Sequence, residues 1–425
     1  MQLQSLSQDQ LQSLEVELAA AYQAFQEKKL SLDLTRGKPS SEQLNLSDAL
    51  DGILAGNYKA EDGTDCRNYG GLDGLPEIKR LGAAILGIGE DEILAGGNAS
   101  LTLMYQCVYQ AYELGFAGPE SAWRHEGKIK MACPVPGYDR HFTICEAFGI
   151  EMVPVAMTSD GPDMAELEAL VKSDPSIKGV WCVPKYSNPT GIIYSDAVVQ
   201  AIAELPKVAG KGFLVFWDNA YAVHDLIDQP KALANIMNLA KTAGTEHSIV
   251  QFCSTSKITH AGAGVAFLGA TNGNLATFKN SLCVSTIGPD KVNQLRHARM
   301  LPDMATLESH MQKHAAILKP RFDMVLKYLN DDLAGTGLGN WESPEGGYFI
   351  SFDTLPGLAK SVVKMAAEAG VKLTPAGATY PYGKDPEDRN IRLAPSVPSL
   401  AELETAMQIF VLCVKLASVR QRLSA

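Results

Sequence analysis

The chain has 425 residues, 46% hydrophobic and 20% charged, enough for two domains or one large α/β domain with an appendage. Its formal net charge of −11 argues against nucleic acid or an anionic membrane as the main partner, while leaving room for a local basic pocket that takes a small anion. Eight cysteines with no Cys-x-x-Cys pair read as free thiols of a reducing, cytoplasmic setting rather than disulfides or zinc ligands, and no His/Cys/Asp spacing suggests a metal. No run approaches the ~20 apolar residues of a membrane span, and the opening Met-Gln-Leu-Gln-Ser-Leu lacks the basic and apolar segments of a signal peptide.

Ser7-Gln8-Asp9-Gln10 has the form of a capping box, and Leu11, Leu14, Leu18, Tyr22 and Phe25 follow at helical spacing, which predicts an amphipathic helix over 7–29. The segment from Leu34 to Ser40 is rich in breakers and reads as a loop. From about 75 to 290, apolar runs at 129–134, 150–156, 179–184, 213–217 and 249–253 alternate with helical patterns. The runs are near-continuous, as strands covered on both faces should be, and predict a largely parallel sheet. Gly96-Gly97-Asn98-Ala99-Ser100 opens a helical stretch over 101–114. Residues 291–330 read as one or two long helices, 346–352, 371–374 and 391–393 as strands of a smaller α/β unit, and 399–421 as a closing helix. The expected organisation is an N-terminal helix and arm (1–60) that joins the small domain, a large domain (61–315), and the rest of the small domain (316–425).

Four apolar runs end in polar clusters: Pro136-Gly137-Tyr138, Asn188-Pro189-Thr190-Gly191, Asp218-Asn219-Ala220-Tyr221 and Ser254-Thr255-Ser256-Lys257. Open α/β sheets bind ligands beyond the carboxyl ends of their strands. Lys257 is the most telling of these residues, because an ammonium at the end of a buried strand must pair, lose its proton or become an imine. A buried structural lysine, or one serving as a point charge for phosphate, is the competing reading. A cofactor with an aldehyde, a phosphate and a pyridine nitrogen would use an amine (Lys257), a carboxylate (Asp218), donors to a phenolic oxygen (Tyr221, Asn188), a ring platform (Tyr138) and a glycine-rich helix start for the phosphate (96–100). Taken singly, Asp218 could be a helix cap, Tyr221 an ordinary half-buried tyrosine and Asn188 a turn residue.

In that order and spacing, Tyr69, Gly97-Asn98-Ala99, Pro136-Gly137-Tyr138, Asn188-Pro189-Thr190-Gly191, Asp218-x-x-Tyr221, Ser254-x-Ser256-Lys257 and Arg392 resemble the pyridoxal-phosphate aminotransferases of fold type I. The runs Leu32 to Ser40, Cys133 to Phe142, Trp217 to His224 and Ser254 to Thr259 resemble more narrowly the divergent bacterial aspartate aminotransferases of corynebacterial type. The resemblance implies a large domain on a mostly parallel seven-stranded sheet, a smaller α/β domain, and a homodimer with shared active sites. It implies pyridoxal 5'-phosphate as cofactor and transfer of an amino group, from L-aspartate above all, to 2-oxoglutarate. Lys257 is then the Schiff-base lysine and proton shuttle, Asp218 the partner of the pyridinium, and Asn188 and Tyr221 neighbours of the phenolic oxygen. Tyr138 stacks on the ring. Asn98, Ala99, Ser100, Ser254 and Ser256 surround the phosphate, joined by Tyr69 from the other subunit. Arg392 and Asn188 meet the substrate α-carboxylate, with Arg36 and Gly37 on the substrate side. Another amino-acid specificity (alanine, aromatic, kynurenine) and a β-lyase remain the alternatives.

Two departures stand out. Gly264 occupies the place where the family pattern has a phosphate-facing arginine. A dicarboxylate substrate also needs a second cation, for which Arg36, Arg140, Lys291 and Arg299 are candidates, Arg36 first because it adjoins Gly37. His141 and His224 are expected to be structural or to support the site by hydrogen bonds rather than to act as bases.

Overall fold

The computed structural model describes residues 3–424. The strands in chain order are β1 (Leu32–Leu34), β2 (Ile93–Ala95), β3 (Lys130–Val135), β4 (Glu151–Thr158), β5 (Gly161–Pro162), β6 (Ile177–Cys182), β7 (Leu214–Asp218), β8 (Ile249–Ser254), β9 (Ala266–Gly269), β10 (Gly339–Trp341), β11 (Ile350–Thr354), β12 (Val371–Leu373) and β13 (Asn390–Leu393). One large sheet has the order β2-β9-β8-β7-β6-β3-β4-β5. β4, β3, β6, β7 and β8 pair in parallel, and β9 runs antiparallel between β8 and β2. The sheet has eight strands rather than the expected seven because the chain after β4 doubles back for two residues, Gly161 and Pro162, at the edge, where a proline costs no ladder bond.

Helices cover both faces of this sheet. Ser100–Tyr109, Asp139–Ala147 and Asn272–Ser285 pack on one side with Met131, Cys133, Trp181, Phe216 and Phe252; Met164–Ser173, Asp196–Glu204 and Ile236–Ala243 pack on the other with Val180, Val215 and Trp217. β3, β6 and β7 are therefore apolar along most of their length. β4 departs from that expectation. Only Met152 and Val155 are buried, one on each face, because the strand lies near the sheet edge and is thinly covered on both sides.

A second core gathers Gln8–Glu27, Met304–Leu333, Ala359–Glu368 and Leu400–Ser424 around the antiparallel sheet β10-β11-β13 and the parallel pair β1-β12. The first of these helices starts as its sequence predicts: Ser7 Oγ accepts the Gln10 N–H, and Gln10 Oε1 accepts the Ser7 N–H at 2.8 Å. Leu11 and Tyr22 are buried against this core, and the Tyr22 hydroxyl donates to Met365 O at 2.9 Å. The breaker-rich segment begins with a strand after all, since Leu32–Leu34 pairs with Val371–Leu373 far along the chain. The strand expected from 346 starts only at Ile350. Gly346 and Gly347 run close under Tyr186, where a Cβ on Gly346 would stand 2.3 Å from the ring. The stretch 101–114 is an α-helix to Tyr109 and a wider turn beyond it, and 291–330 divides into Lys291–Met300 and Met304–Leu333.

Candidate active site

β3, β6, β7 and β8 end at one edge of the large sheet, and their polar extensions converge there. β7 delivers Asp218 as its last residue, and β8 delivers Ser254 and then a tight turn. In that turn Thr255 O accepts the N–H groups of Ile258 and Thr259 at 2.9 and 2.8 Å, which carries Lys257 out over the sheet edge. A cavity of about 210 Å3 forms at this edge, lined by Gly37, Ala99, Ser100, Tyr138, Asn188, Asp218, Tyr221, Ser254, Ser256 and Lys257, with Leu101, Met104, Val183, Ala220 and Phe349 as its apolar wall. A larger cavity, about 490 Å3, opens beside Trp123, Phe213 and Leu214 at the amino-terminal edge, away from these groups and from the edge where such sheets bind ligands.

The electrostatics of the smaller cavity centre on Lys257 and Asp218. Burial pushes the basicity of the Lys257 amine down; Asp218 opposes that shift and the Arg392 charge adds to it. The amine lies over the Tyr221 ring, 5.0 Å from its centroid. Burial foremost holds the Tyr221 and Tyr138 hydroxyls protonated, well above the ordinary phenol range. Asp218 is buried, and its Oδ2 lies 3.0 Å from His141 Nε2. The His141 ring is itself stacked on Trp181 at 4.3 Å. Asp218 Oδ1 is buried with no hydrogen-bond partner in the protein, a costly state for a carboxylate and one that an N–H-bearing ligand would relieve.

Arg392, on β13, is not itself among the lining residues but touches two of them, Asn188 and Phe349, from the second core. Its Nη1 donates to Asn188 Oδ1 and Asp139 Oδ1 at 3.2 Å each, its guanidinium lies 4.8 Å from the centre of the Phe349 ring, and its Nε has no partner. At the other end of the cavity Ser254 Oγ donates to Ser256 Oγ, and Ser256 Oγ donates to Asn98 O, both at 3.2 Å, beside the start of the helix Ser100–Tyr109. The Asn98 side chain turns away to Gly262 O at 3.3 Å, so only its backbone serves this end. Gly264 is glycine for a steric reason: a Cβ there would sit 3.1 Å from both the amide nitrogen and the hydroxyl of Ser256. The serine pair and the helix start occupy the end of the cavity at which an arginine was missed in the sequence.

Other sequence candidates fall elsewhere. Tyr69 is 82% exposed and does not line the cavity. Arg36 adjoins the lining residue Gly37 but is not itself part of the lining; Gly37 packs so closely on Phe349 that a Cβ would come 2.5 Å from the ring. Lys291 and Arg299 are corrected. Lys291 Nζ, buried, donates to Gly70 O at 2.5 Å, and Arg299 donates to Leu54 O and Lys59 O at 3.4 and 3.3 Å, so both tie the loops 54–71 to the helix Lys291–Met300. Arg140 is exposed on the helix Asp139–Ala147 and is not among the lining residues. His224 donates through Nε2 to Lys257 O at 3.3 Å, a supporting contact as expected. Sequence reasoning missed Phe349, Tyr348 and Gln43, although the Ser40-x-x-Gln43 capping box was there to read.

A lysine amine of lowered basicity and a half-satisfied aspartate thus share one cavity at the carboxyl edge of a largely parallel sheet, where α/β folds of this class bind their ligands. Comparison with known proteins narrows the class. The aspartate amino-transferase family model matches residues 6–425. An aspartate aminotransferase of Corynebacterium glutamicum is 45% identical over 417 residues, covering 98% of this chain and 96% of that protein. The crystal structure of an aspartate transaminase from Corynebacterium glutamicum superposes with a TM-score of 0.95 at 44% identity over 99% of each chain. A more distant α-aminoadipate aminotransferase from Thermus thermophilus, solved with N-(5'-phosphopyridoxyl)-L-leucine, shares the fold at a TM-score of 0.74 and 18% identity, over 96% of this chain and 97% of its own. The chain belongs to the aspartate amino-transferase family and is an aminotransferase.

Proposed function

We propose that this enzyme transfers the amino group of L-aspartate to 2-oxoglutarate with pyridoxal 5'-phosphate as its cofactor. The observation that carries the reading is the pairing, across one cavity, of the Lys257 amine with an Asp218 carboxylate whose Oδ1 is buried and unpartnered. The donor set fits the cofactor: Lys257 for its aldehyde, Asp218 for its ring nitrogen, Asn188 and Tyr221 for its phenolic oxygen, the Tyr138 ring for its face, and Ser254, Ser256 and the N–H groups at Ala99 and Ser100 for its phosphate. When bound there, the cofactor supplies an electron sink for the bonds at the substrate α-carbon.

The chain's own part is to place charge and move one proton. His141 orients Asp218 through its 3.0 Å contact with Oδ2, which leaves Oδ1 to meet the proton of a ring nitrogen. Arg392, fixed by Asn188 and Asp139, presents its guanidinium fork to the substrate α-carboxylate. Burial lowers the basicity of the Lys257 amine and so favours the neutral form that can take the α-proton and return it. Arg36, beside Gly37, is the proposed cation for the distal carboxylate.

We assign residues 1–60 and 316–425 to a small domain and 61–315 to a large one, with the cavity between them. We further propose a cytoplasmic homodimer in which Tyr69 of one subunit reaches the phosphate end of its partner's site. In support, seven of the eight cysteines are buried free thiols, and none of the described helices is long and apolar enough to cross a membrane. The test is product analysis with aspartate and 2-oxoglutarate. Oxaloacetate and glutamate, abolished in Lys257→Ala, are expected; alanine with carbon dioxide from aspartate, or pyruvate with ammonia from an amino acid carrying a leaving group at Cβ, would instead make the enzyme a β-lyase.

A further inference from the structure

Behind Lys257 lies a set of buried polar side chains that the cofactor chemistry does not use. The turn that follows β8 has helical hydrogen bonds at Thr255 O and then stops, so the carbonyls of Lys257 and Ile258 have no successor N–H groups to meet. Side chains meet them instead. His310 and His314, one turn apart on the helix Met304–Leu333, place their Nε2 atoms 2.7 and 2.9 Å from Ile258 O. His224 Nε2 lies 3.3 Å from Lys257 O, and the Tyr348 hydroxyl lies 3.5 Å from it. Gln43 links the two groups, donating from Nε2 to His314 Nδ1 at 3.0 Å and to the Tyr348 hydroxyl at 2.8 Å.

Ile258 O can only accept, so His310 and His314, whose Nε2 atoms also lie 3.2 Å from one another, both donate to it. Gln43 Oε1 is taken by the Ser40 N–H at 3.1 Å, which leaves Nε2 facing His314 and Tyr348. His314 Nδ1 must accept, so its proton is on Nε2 and donates to Ile258 O. Tyr348 accepts from Gln43 and has its own proton free for Lys257 O. His224 Nδ1 has no partner, so its proton also belongs on Nε2, facing Lys257 O. Burial, the leading cause for all three histidines, disfavours their charged forms and keeps each a neutral single donor. A metal reading of His310 and His314 has no support, since both Nε2 atoms already face a carbonyl and no group of three ligands forms among the described residues.

We propose that Tyr348, His224, His310 and His314, joined through Gln43, are positioning residues that clamp the Lys257–Ile258 backbone and so aim the lysine amine. Gln43 belongs to the short helix that follows Gly37, and Gly37 lines the cavity, so the clamp ties the substrate-side loop to the lysine as well. The inference rests on the proposed role of Lys257 but adds residues that touch neither substrate nor cofactor.

The test uses the full chain loaded with pyridoxal 5'-phosphate and the variants Tyr348→Phe, His314→Leu and His314→Gln. The glutamine can donate near the position of the lost Nε2–H; the leucine cannot. Tyr348→Phe and His314→Leu should each lower kcat about tenfold with the amino-donor KM held within about twofold, because aim and not affinity is lost, while His314→Gln should stay within about threefold of wild type. A second readout needs no turnover. The pH midpoint for borohydride trapping of the cofactor on Lys257, read by mass of the Lys257 peptide, should move up by about half a unit in the two disruptive variants as the loosened amine gains water. Unchanged kcat and midpoint in Tyr348→Phe, or equal effects of the leucine and glutamine variants, would overturn the clamp. If His314→Leu does not fold, Tyr348→Phe alone decides. A wild-type chain that traps cofactor at Lys257 but transaminates nothing would end the functional reading instead, and the trapping midpoint would still judge the clamp.

Discussion

Asp218 shows how much of this site is decided by single atoms. One carboxylate oxygen is engaged by His141 and the other is buried without a donor, so the residue is poised to hold one more N–H. Asp218→Asn keeps the shape and removes the charge that would hold a ring nitrogen protonated. The expected result is a folded, cofactor-binding variant whose kcat falls by at least about a hundredfold, the scale seen when one preorganised electrostatic partner is removed from a catalytic site. Near-normal turnover in steady-state assays would remove Asp218 from the chemistry. Arg392 is a second case. Its Nη1 is anchored to Asn188 and Asp139, which leaves the rest of a planar fork for a carboxylate. In Arg392→Lys a point charge replaces the fork, and KM for the amino donor should rise more than about tenfold, since two parallel hydrogen bonds become one. A KM unchanged for both aspartate and 2-oxoglutarate would mean that the α-carboxylate is held elsewhere.

At the level of whole elements, docking rather than propensity sets the sequence. The helix Pro76–Leu86 carries Gly82 in its interior, where alanine would favour the helix by about 1 kcal/mol. Yet a Cβ at Gly82 would stand 2.3 Å from Cδ1 of Phe267, a fully buried residue of β9. Overpacking costs about 1–3 kcal/mol, so with the helix preference subtracted Gly82→Ala should destabilise the fold by up to about 2 kcal/mol in urea titration; a gain in stability would show that Phe267 can yield. The helix Met304–Leu333 makes a different demand. Burial foremost, with the neighbouring His310, pushes the His314 pKa from 6.5 down to about 4. Above pH 6.5 both folded and unfolded forms are neutral. Between 6.5 and 4 the unfolded chain takes up a proton that the folded chain refuses, so stability falls with pH, and below 4 this contribution levels off. The integrated loss is about 3 kcal/mol. His314→Gln should flatten that part of the pH–stability curve; an identical slope in both proteins would show that His314 titrates normally.

These elements also show where the sequence was readable. β3, β6, β7 and β8 were visible because helices cover both their faces and force continuous apolar runs, and the polar residues ending them announced Asp218, Asn188 and Lys257. β1, β2 and β9 were not, because each depends on a partner distant in the chain, as Leu32 does on Val371; β12 and β13, equally short, were legible from their apolar residues. Phe349, Tyr348 and Gln43 come from segments far apart in the chain and meet only through tertiary packing. Lys291 and Arg299 misled for the complementary reason. A basic residue on a helix gives no sign in the sequence that its charge will be spent on loop carbonyls.

At the scale of the molecule, one subunit leaves apolar surface that its own cores do not claim. Tyr69 is 82% exposed, Val284 86% and Ile287 63%, with Tyr105 and Tyr109 also in contact with water. The loop of Tyr69 is held in place from behind, by Lys291 through Gly70 O, although the Tyr69 residue itself is 82% exposed. The proposed two-fold dimer would explain both facts, because an isologous interface would cover such a surface twice and let each Tyr69 complete the site opposite. The proposal has a test that does not depend on measuring size alone. Lys257→Ala is expected to be inactive, and Tyr69→Ala weak through poor cofactor retention. Unfolded together and refolded at equal amounts, they should form mixed dimers in which one site has both defects and the other has neither. Random pairing makes half of the dimers mixed, each with one intact site, so activity should recover to about one quarter of wild type, above the mean of the parents. If the mixture shows only that mean while capture through a tag on one variant confirms that mixed dimers have formed, Tyr69 serves its own subunit or no site at all.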